Sequence, residues 1–222
     1  MSRFQTDFRE IGDFRTVQTI ARRELLGPIA APAASPPVVP ERLTVQGDQR
    51  IWDDRRPGRT LALFCSTKVP ASLLLQLHDL AQRWRHSDRL VVSGFHAPAE
   101  RECLQVLLRG PASVIWCPAR GLARMRLKAD HRAALEAGRL LILSPFSDSV
   151  RRATVATAAQ RNRFVAALAD TVLIAHAQAG SKTEALAQEA LRWGKPLYTL
   201  PSEYNSNLIA LGASGYAERE GA

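Results

Sequence analysis

The chain lacks the features that would send it into or across a membrane. Its 222 residues hold no apolar run near the roughly 20 residues that a bilayer span needs. The first stretch, MSRFQTDFREIGDF, carries acids and has no apolar centre, which excludes a secretory signal. Cysteine is scarce: Cys65, Cys103 and Cys117 are odd in number and far apart, which excludes a disulfide framework and suits reduced thiols in a cytoplasm. Aromatic residues make up 6%, too few for a platform of stacking rings. No G-x-G-x-x-G follows an apolar run, and AGSKT (179–183) fails as a P-loop because Ser181 separates Gly180 from Lys182 and residue 175 is Ala. His96 and Glu100 are four apart and can share a helix face, but no third ligand stands near them, so no metal site is expected. His78 and His86 fall among helix-surface charges. No Ser/His/Asp or Cys/His spacing suggests nucleophilic catalysis. The expectation is a chain without catalytic residues, metal or cofactor.

What is present is a large core and an excess of positive charge. With 46% hydrophobic residues the chain can bury one domain plus a short appendage. Thirty Lys and Arg against 21 Asp and Glu leave a formal charge of +9, which favours an anionic partner such as nucleic acid or a nucleotide. An Arg-rich solvated surface would explain the same number, so placement must decide.

Residues 27–40, GPIAAPAASPPVVP, are too rich in Pro to sustain a helix or central strand. They divide an N-terminal helical segment (about 10–26) from the main domain, giving units 1–40 and 41–222. Beyond Leu43 short apolar runs alternate with helical stretches. The runs are TLALFC (60–65), RLVVS (89–93), SVIWC (113–117), RLLILS (139–144), TVLIAH (171–176) and PLYTL (196–200). The helical stretches include ASLLLQLHDLAQRW, PAERECLQVLLR, the basic LARMRLKADHRAALEAG, TEALAQEALRWG and a final NSNLIALGA. Strands apolar on both faces, separated by helices of 10–15 residues, predict a doubly wound, mostly parallel α/β sheet.

Ligands of such sheets sit beyond the C-terminal ends of the strands. Ser66, Thr67 and Lys68 follow the first run; Ser93, Gly94, Phe95 and His96 the second; Ser144 the fourth; Gly180, Ser181, Lys182 and Thr183 the fifth. Hydroxyls, glycines and cations on one rim are what a phosphate needs, although Ser, Thr and Gly are also ordinary loop and cap residues. Arg161, Asn162 and Arg163 stand where an apolar helix is expected to begin, with Phe164, Ala167 and Leu168 as its buried stripe. On an ideal helix residues 161 and 163 lie about 200° apart, so one arginine is expected at the ligand and the other bracing neighbouring loops. Phe95 and Phe146 are the aromatics expected near the rim.

These stretches resemble the DNA-processing protein A (DprA/Smf) family over roughly residues 38–215. RLTVQGD is similar to the family's opening strand and LALFCSTK to its first Rossmann strand. LVVSGFHAPAE is similar to its Ser-Gly loop, EAGRLLILS to its mid-domain strand, and QRNRFVAALADTVLIAHA to its Arg-Asn-Arg helix and next strand. GSKTEALAQEALRWGKPLYTLP and NSNLIALGA follow in the family's order. The resemblance implies a Rossmann-like domain that binds single-stranded DNA and helps load a RecA-type recombinase during natural transformation; whether the chain also pairs as a homodimer is left open by the sequence. It implies phosphate contacts from Ser66, Lys68, Ser93, Gly94, Arg161, Asn162, Arg163, Gly180 and Ser181, to which the reading of the rim adds His96 and Lys182. The chain departs from the pattern at Cys65, where the family has glycine, and at Lys68, one place from the expected arginine. It also lacks a Phe-Pro before the triplet, has Ser202 after Pro201, and shows no winged-helix tail after Gly215, so it resembles a short, divergent member.

Two other functions compete. A nucleotide-ligand module would resemble the lysine-decarboxylase-like nucleoside monophosphate phosphoribohydrolases, but their Pro-Gly-Gly-x-Gly-Thr-x-x-Glu loop ends here in Leu186 instead of glutamate. An interaction module within a defence or mobile-element system is the third.

Overall fold

The computed structural model describes residues 16–26 and 38–217, and for Leu26 the backbone alone. A single nine-stranded sheet runs through them. Strand β1 is Gln18–Ala21, β2 Arg42–Gly47, β3 Thr60–Cys65, β4 Leu90–Ser93, β5 Val114–Trp116, β6 Leu140–Ser144, β7 Thr171–His176, β8 Leu197–Thr199 and β9 Ser214–Gly215. The order across the sheet is β1-β2-β6-β5-β4-β3-β7-β8-β9. From β6 to β9 all pairs are parallel, while β1 and β2 join antiparallel at one edge. The mostly parallel, doubly wound sheet is therefore as the alternating text predicts.

The central strands are buried end to end because helices cover both faces. Alternate residues of each strand feed opposite layers. Ala62, Phe64, Val92, Ile115, Val172 and Ile174 face α6 (Val155–Leu168) and α7 (Lys182–Arg192). Leu61, Leu63, Val91, Val114, Ile142 and Leu173 face α3 (Ala71–Trp84), α4 (Pro98–Leu108) and α5 (Ala129–Glu136). Successive strands β3, β4, β5 and β6 march one way across the sheet, and the chain then returns to the other side of β3 as β7. That reversal opens the sheet's switch point between β3 and β7.

Two expectations about local structure are corrected. Residues 18–21 are a strand, not helix, and only α1 (Arg22–Leu26) is helical; residues 10–15 and 27–37 lie outside the described residues. The run Val17-Gln18-Thr19-Ile20 is rich in β-branched side chains, which favour the pleated edge beside β2, where Ile20 opposes Leu43. The basic stretch before α5 is helical only from Ala129, so residues 117–128 form a loop beyond β5. In that loop Leu122 is buried and Met125 and Leu127 pack on the core, at spacings of three and two residues rather than the three and four of a helical stripe.

Candidate functional site

The Arg-Asn-Arg triplet does not begin a helix. Helix α6 starts six residues earlier, at Val155, with Thr154 as its N-cap accepting from the Thr157 amide at 3.1 Å. Arg161 to Arg163 thus lie in mid-helix, without the orphan amides that a helix start would leave there. The buried stripe is Phe164, Val165, Ala166 and Leu168, with Ala167 only half-buried.

The two arginines part ways as their angular separation requires. Arg161 is 4% exposed and points under the rim, where its Nη1 donates to the Cys117 carbonyl at 2.8 Å. Its Nε donates to Asn162 Oδ1 at 2.8 Å, which commits Asn162 to orienting Arg161. Arg163 turns to the neighbouring helix, donating from Nε to Glu189 Oε1 at 2.7 Å, and its guanidinium lies 5.9 Å from the Trp193 ring centre.

Beneath Arg161 lies the Glu100 carboxylate, which sequence spacing set on a helix face with His96. Glu100 is 6% exposed and accepts three backbone amides: Cys65 N–H at 2.9 Å on Oε1, and His96 and Ala97 N–H at 2.8 and 3.2 Å on Oε2. Burial pushes its carboxyl above the ordinary range, while the Arg161 charge and the three amides pull it back. The same carboxylate also ties the loop after β3 to the loop after β4. Its sequence signal was the spacing: Pro98 at the first helical position and a glutamate three residues after Ala97 form the back half of a capping box.

The remaining predicted residues divide between brace and surface. Ser93 is fully buried, donating from Oγ to the Leu63 carbonyl at 2.8 Å and accepting from Phe95 N–H at 3.1 Å. Gly94 is buried against Arg161, and Phe95 adopts a left-handed φ of 45°. Ser66 is buried, its amide bonded to the His176 carbonyl at 2.9 Å and its Oγ 3.4 Å from the Gln178 amide. Ser181 caps α7 through the Glu184 amide at 3.2 Å. Gly180 has φ 71° and gives its amide to Glu184 Oε2 at 2.6 Å. Exposed on the rim are His96, Thr67, Lys68 and Lys182. Lys68 follows β3 and Lys182 follows β7, so the two cations flank the switch point.

Sequence reasoning passed over the loop after β5 because it read those residues as helix. That loop and the one after β6 carry Arg120, Arg124, Arg126, Lys128, Arg151 and Arg152, all exposed except the half-buried Arg120. The expected rim aromatics, Phe95 and Phe146, are 4% and 6% exposed and belong to the core. Among the described residues the exposed aromatic is Tyr204, 52% exposed, just beyond β8. Among those residues no helix is long and apolar enough to cross a membrane, and no group of three or more His, Cys, Asp or Glu could hold a metal ion.

Comparison with known proteins agrees with this geometry. No curated protein matches the chain. A solved structure concerning the single-stranded DNA binding mode of DNA processing protein A from Helicobacter pylori superposes with a TM-score of 0.70 at 22% identity, covering 90% of this chain and 91% of that one. DNA processing protein A from Streptococcus pneumoniae superposes with a TM-score of 0.69 at 17% identity, covering 91% of this chain and 72% of that one. At these identities the likeness shows the fold. The family model for DNA recombination-mediator protein A matches residues 32–219, and the chain belongs to that family.

Proposed function

We propose that this protein binds single-stranded DNA by its sugar-phosphate backbone, across the C-terminal rim of the sheet, as a recombination mediator. The observation that carries the reading is the pair Lys68 and Lys182, exposed on either side of the β3/β7 switch point, where open α/β sheets take ligands. Both cations stand on a floor held rigid by Glu100, Arg161 and Glu184, so a phosphate meets positioned charge with little to reorganise. Ser66, Ser93, Gly94, Asn162 and Gly180 contribute by fixing the loops, and His96, Ser181 and Thr67 line the path.

The reading is a binding protein rather than an enzyme. Three groups at the rim are committed elsewhere: Glu100 holds three amides, Glu184 holds the Gly180 amide, and burial pushes the Cys65 thiol up to about 12. Membership of a recombination-mediator family supports a RecA-type recombinase as the protein that receives the strand, with a second copy of the chain as partner, in the cytoplasm. Leu186 is 5% exposed and packs on the core where a phosphoribohydrolase would present a glutamate, which disfavours that chemistry.

The test compares labelled single-stranded DNA, duplex DNA and free nucleotides on the wild-type chain and on K68A/K182A. Tight binding of the single strand that the double variant loses is the expected result. A chain that binds or cleaves a mononucleotide and ignores the strand would replace this function with the nucleotide-ligand one.

A further inference from the structure

The loop between β5 and α5 has a construction that the switch-point site does not use. Its apolar side chains point inward: Leu122 is 2% exposed, and Met125 and Leu127 pack against the same core layer. The residues between them point outward, so Arg124, Arg126 and Lys128 stand exposed at every second position. Arg124 stands in the turn that the Met125 amide closes on the Leu122 carbonyl at 2.9 Å, and Arg126 and Lys128 follow it, a ladder of three cations within five residues. No Asp or Glu occurs between Cys117 and Ala129 to neutralise it.

The ladder is anchored. Asp148 Oδ1 accepts the amides of Leu122 and Ala123 at 3.1 and 3.0 Å, and the Gly121 amide donates to the Val150 carbonyl at 2.9 Å. Ser144 Oγ donates to the Arg120 carbonyl at 2.8 Å. Gly121 itself is required, since a Cβ there would stand 2.5 Å from the Ser147 carbonyl oxygen. Asp148 is thus spent on backbone amides rather than on the arginines, and Asp130, two residues past Lys128, pairs with His131 at 2.9 Å. A set of like charges held close together on a fixed loop is a standing repulsion, and it is relieved by an anion with several charges at comparable intervals.

We propose that residues 120–128 form a second anion-binding segment, which takes the continuing sugar-phosphate backbone of a single strand already seated at the switch point. The inference rests on the strand-binding function proposed above. Three strand spacings separate β7 from β5, a distance of about 14 Å along the rim. A strand of several nucleotides bridges that distance, whereas a trinucleotide seated between Lys68 and Lys182 does not. The segment makes affinity grow with strand length, without base specificity, because the contacts are charge on phosphate.

The experiment measures binding of a thymidine trinucleotide and of an oligo-dT of about 15 nucleotides, a length within the range that single-strand binders cover. Both are titrated against salt on the wild-type chain, on R124A/R126A and on R124K/R126K. The expected result is that R124A/R126A binds the long strand on the order of tenfold more weakly at low salt, with a slope of log K against log salt shallower by about 1.4, and binds the trinucleotide as the wild type does. The lysine variant keeps the wild-type slope, because charge rather than shape is read. If R124A/R126A binds the long strand with wild-type affinity and slope, or weakens both ligands equally, the second segment is overturned while the switch-point function stands. If the wild-type chain binds neither ligand at low salt, both are overturned together.

Discussion

Arg161 and Gly94 occupy one space: a Cβ on residue 94 would fall 1.4 Å from the Arg161 Nη1. The glycine is there because the guanidinium takes the volume any side chain would need, and from that position it bonds the Cys117 carbonyl and faces Glu100. Gly94→Ala is expected to expel the guanidinium and destabilise the fold by about 3 kcal/mol. Arg161→Ala is expected to cost about 3–5 kcal/mol, because Glu100 is left buried without its countercharge. Combining them should cost much less than the sum, since each removes the same contact. Additive losses in urea melts would show that the two residues are not coupled.

Arg163 is predicted to matter little. Its partner Glu189 is part-exposed and its own side chain is 37% exposed. Arg163→Ala should therefore cost under about 1 kcal/mol and leave strand affinity unchanged. A tenfold loss of single-strand binding in this variant would place its guanidinium at the ligand.

Stability should carry a histidine signature. His131 is buried against Trp116, with ring centres 5.0 Å apart, and the Trp116 indole donates to the Gly94 carbonyl at 3.1 Å. Burial pulls the His131 pKa down, against the opposing pull of Asp130. Between that lowered value and the unfolded value near 6.5, the unfolded chain binds more protons, so this contribution to stability is lost as pH falls through the window. The melting-temperature advantage of wild type over His131→Phe should shrink from pH 7.5 to pH 5. A constant difference would mean that His131 does not titrate in this way.

The N-terminal division can be tested by truncation. A chain starting at Val38 keeps β2 to β9 but loses β1 and the buried Ile20 and Leu25. It is expected to fold cooperatively with stability lower by about 3 kcal/mol, and to keep strand binding, because β1 lies at the sheet edge remote from the switch point. Molten or insoluble protein would make residues 16–26 part of the obligatory core.

Much of the architecture was legible because buried parallel strands announce themselves. TLALFC and TVLIAH are apolar on both faces and have the bounds the text predicts for them. Residues 18–21 misled because a lone edge strand buries little more than Ile20 and so shows no long period. The loop 117–128 misled because its many good helix formers outweighed the irregular spacing of its apolar residues Leu122, Met125 and Leu127. The site was legible as a location but less so as a set of contacts. Sequence places Arg161 near the rim, but only the fold shows that it faces inward to Gly94 and Glu100, while Lys68 and Lys182 face out. Glu100 was weighed only as a metal ligand beside His96, since a glutamate in a first helical turn is usually a solvated cap.

The most direct measurement is the salt dependence of single-strand binding by the wild-type chain and by K68A/K182A. Neutralising two phosphates on a single strand corresponds to a slope of about −1.4 in log K against log salt. The wild-type slope is predicted to be at least that steep, and the double variant's shallower by about 1.4 with an unchanged melting temperature. Binding that is independent of salt, or that survives K68A/K182A with the same slope, would contradict a strand seated at the β3/β7 switch point.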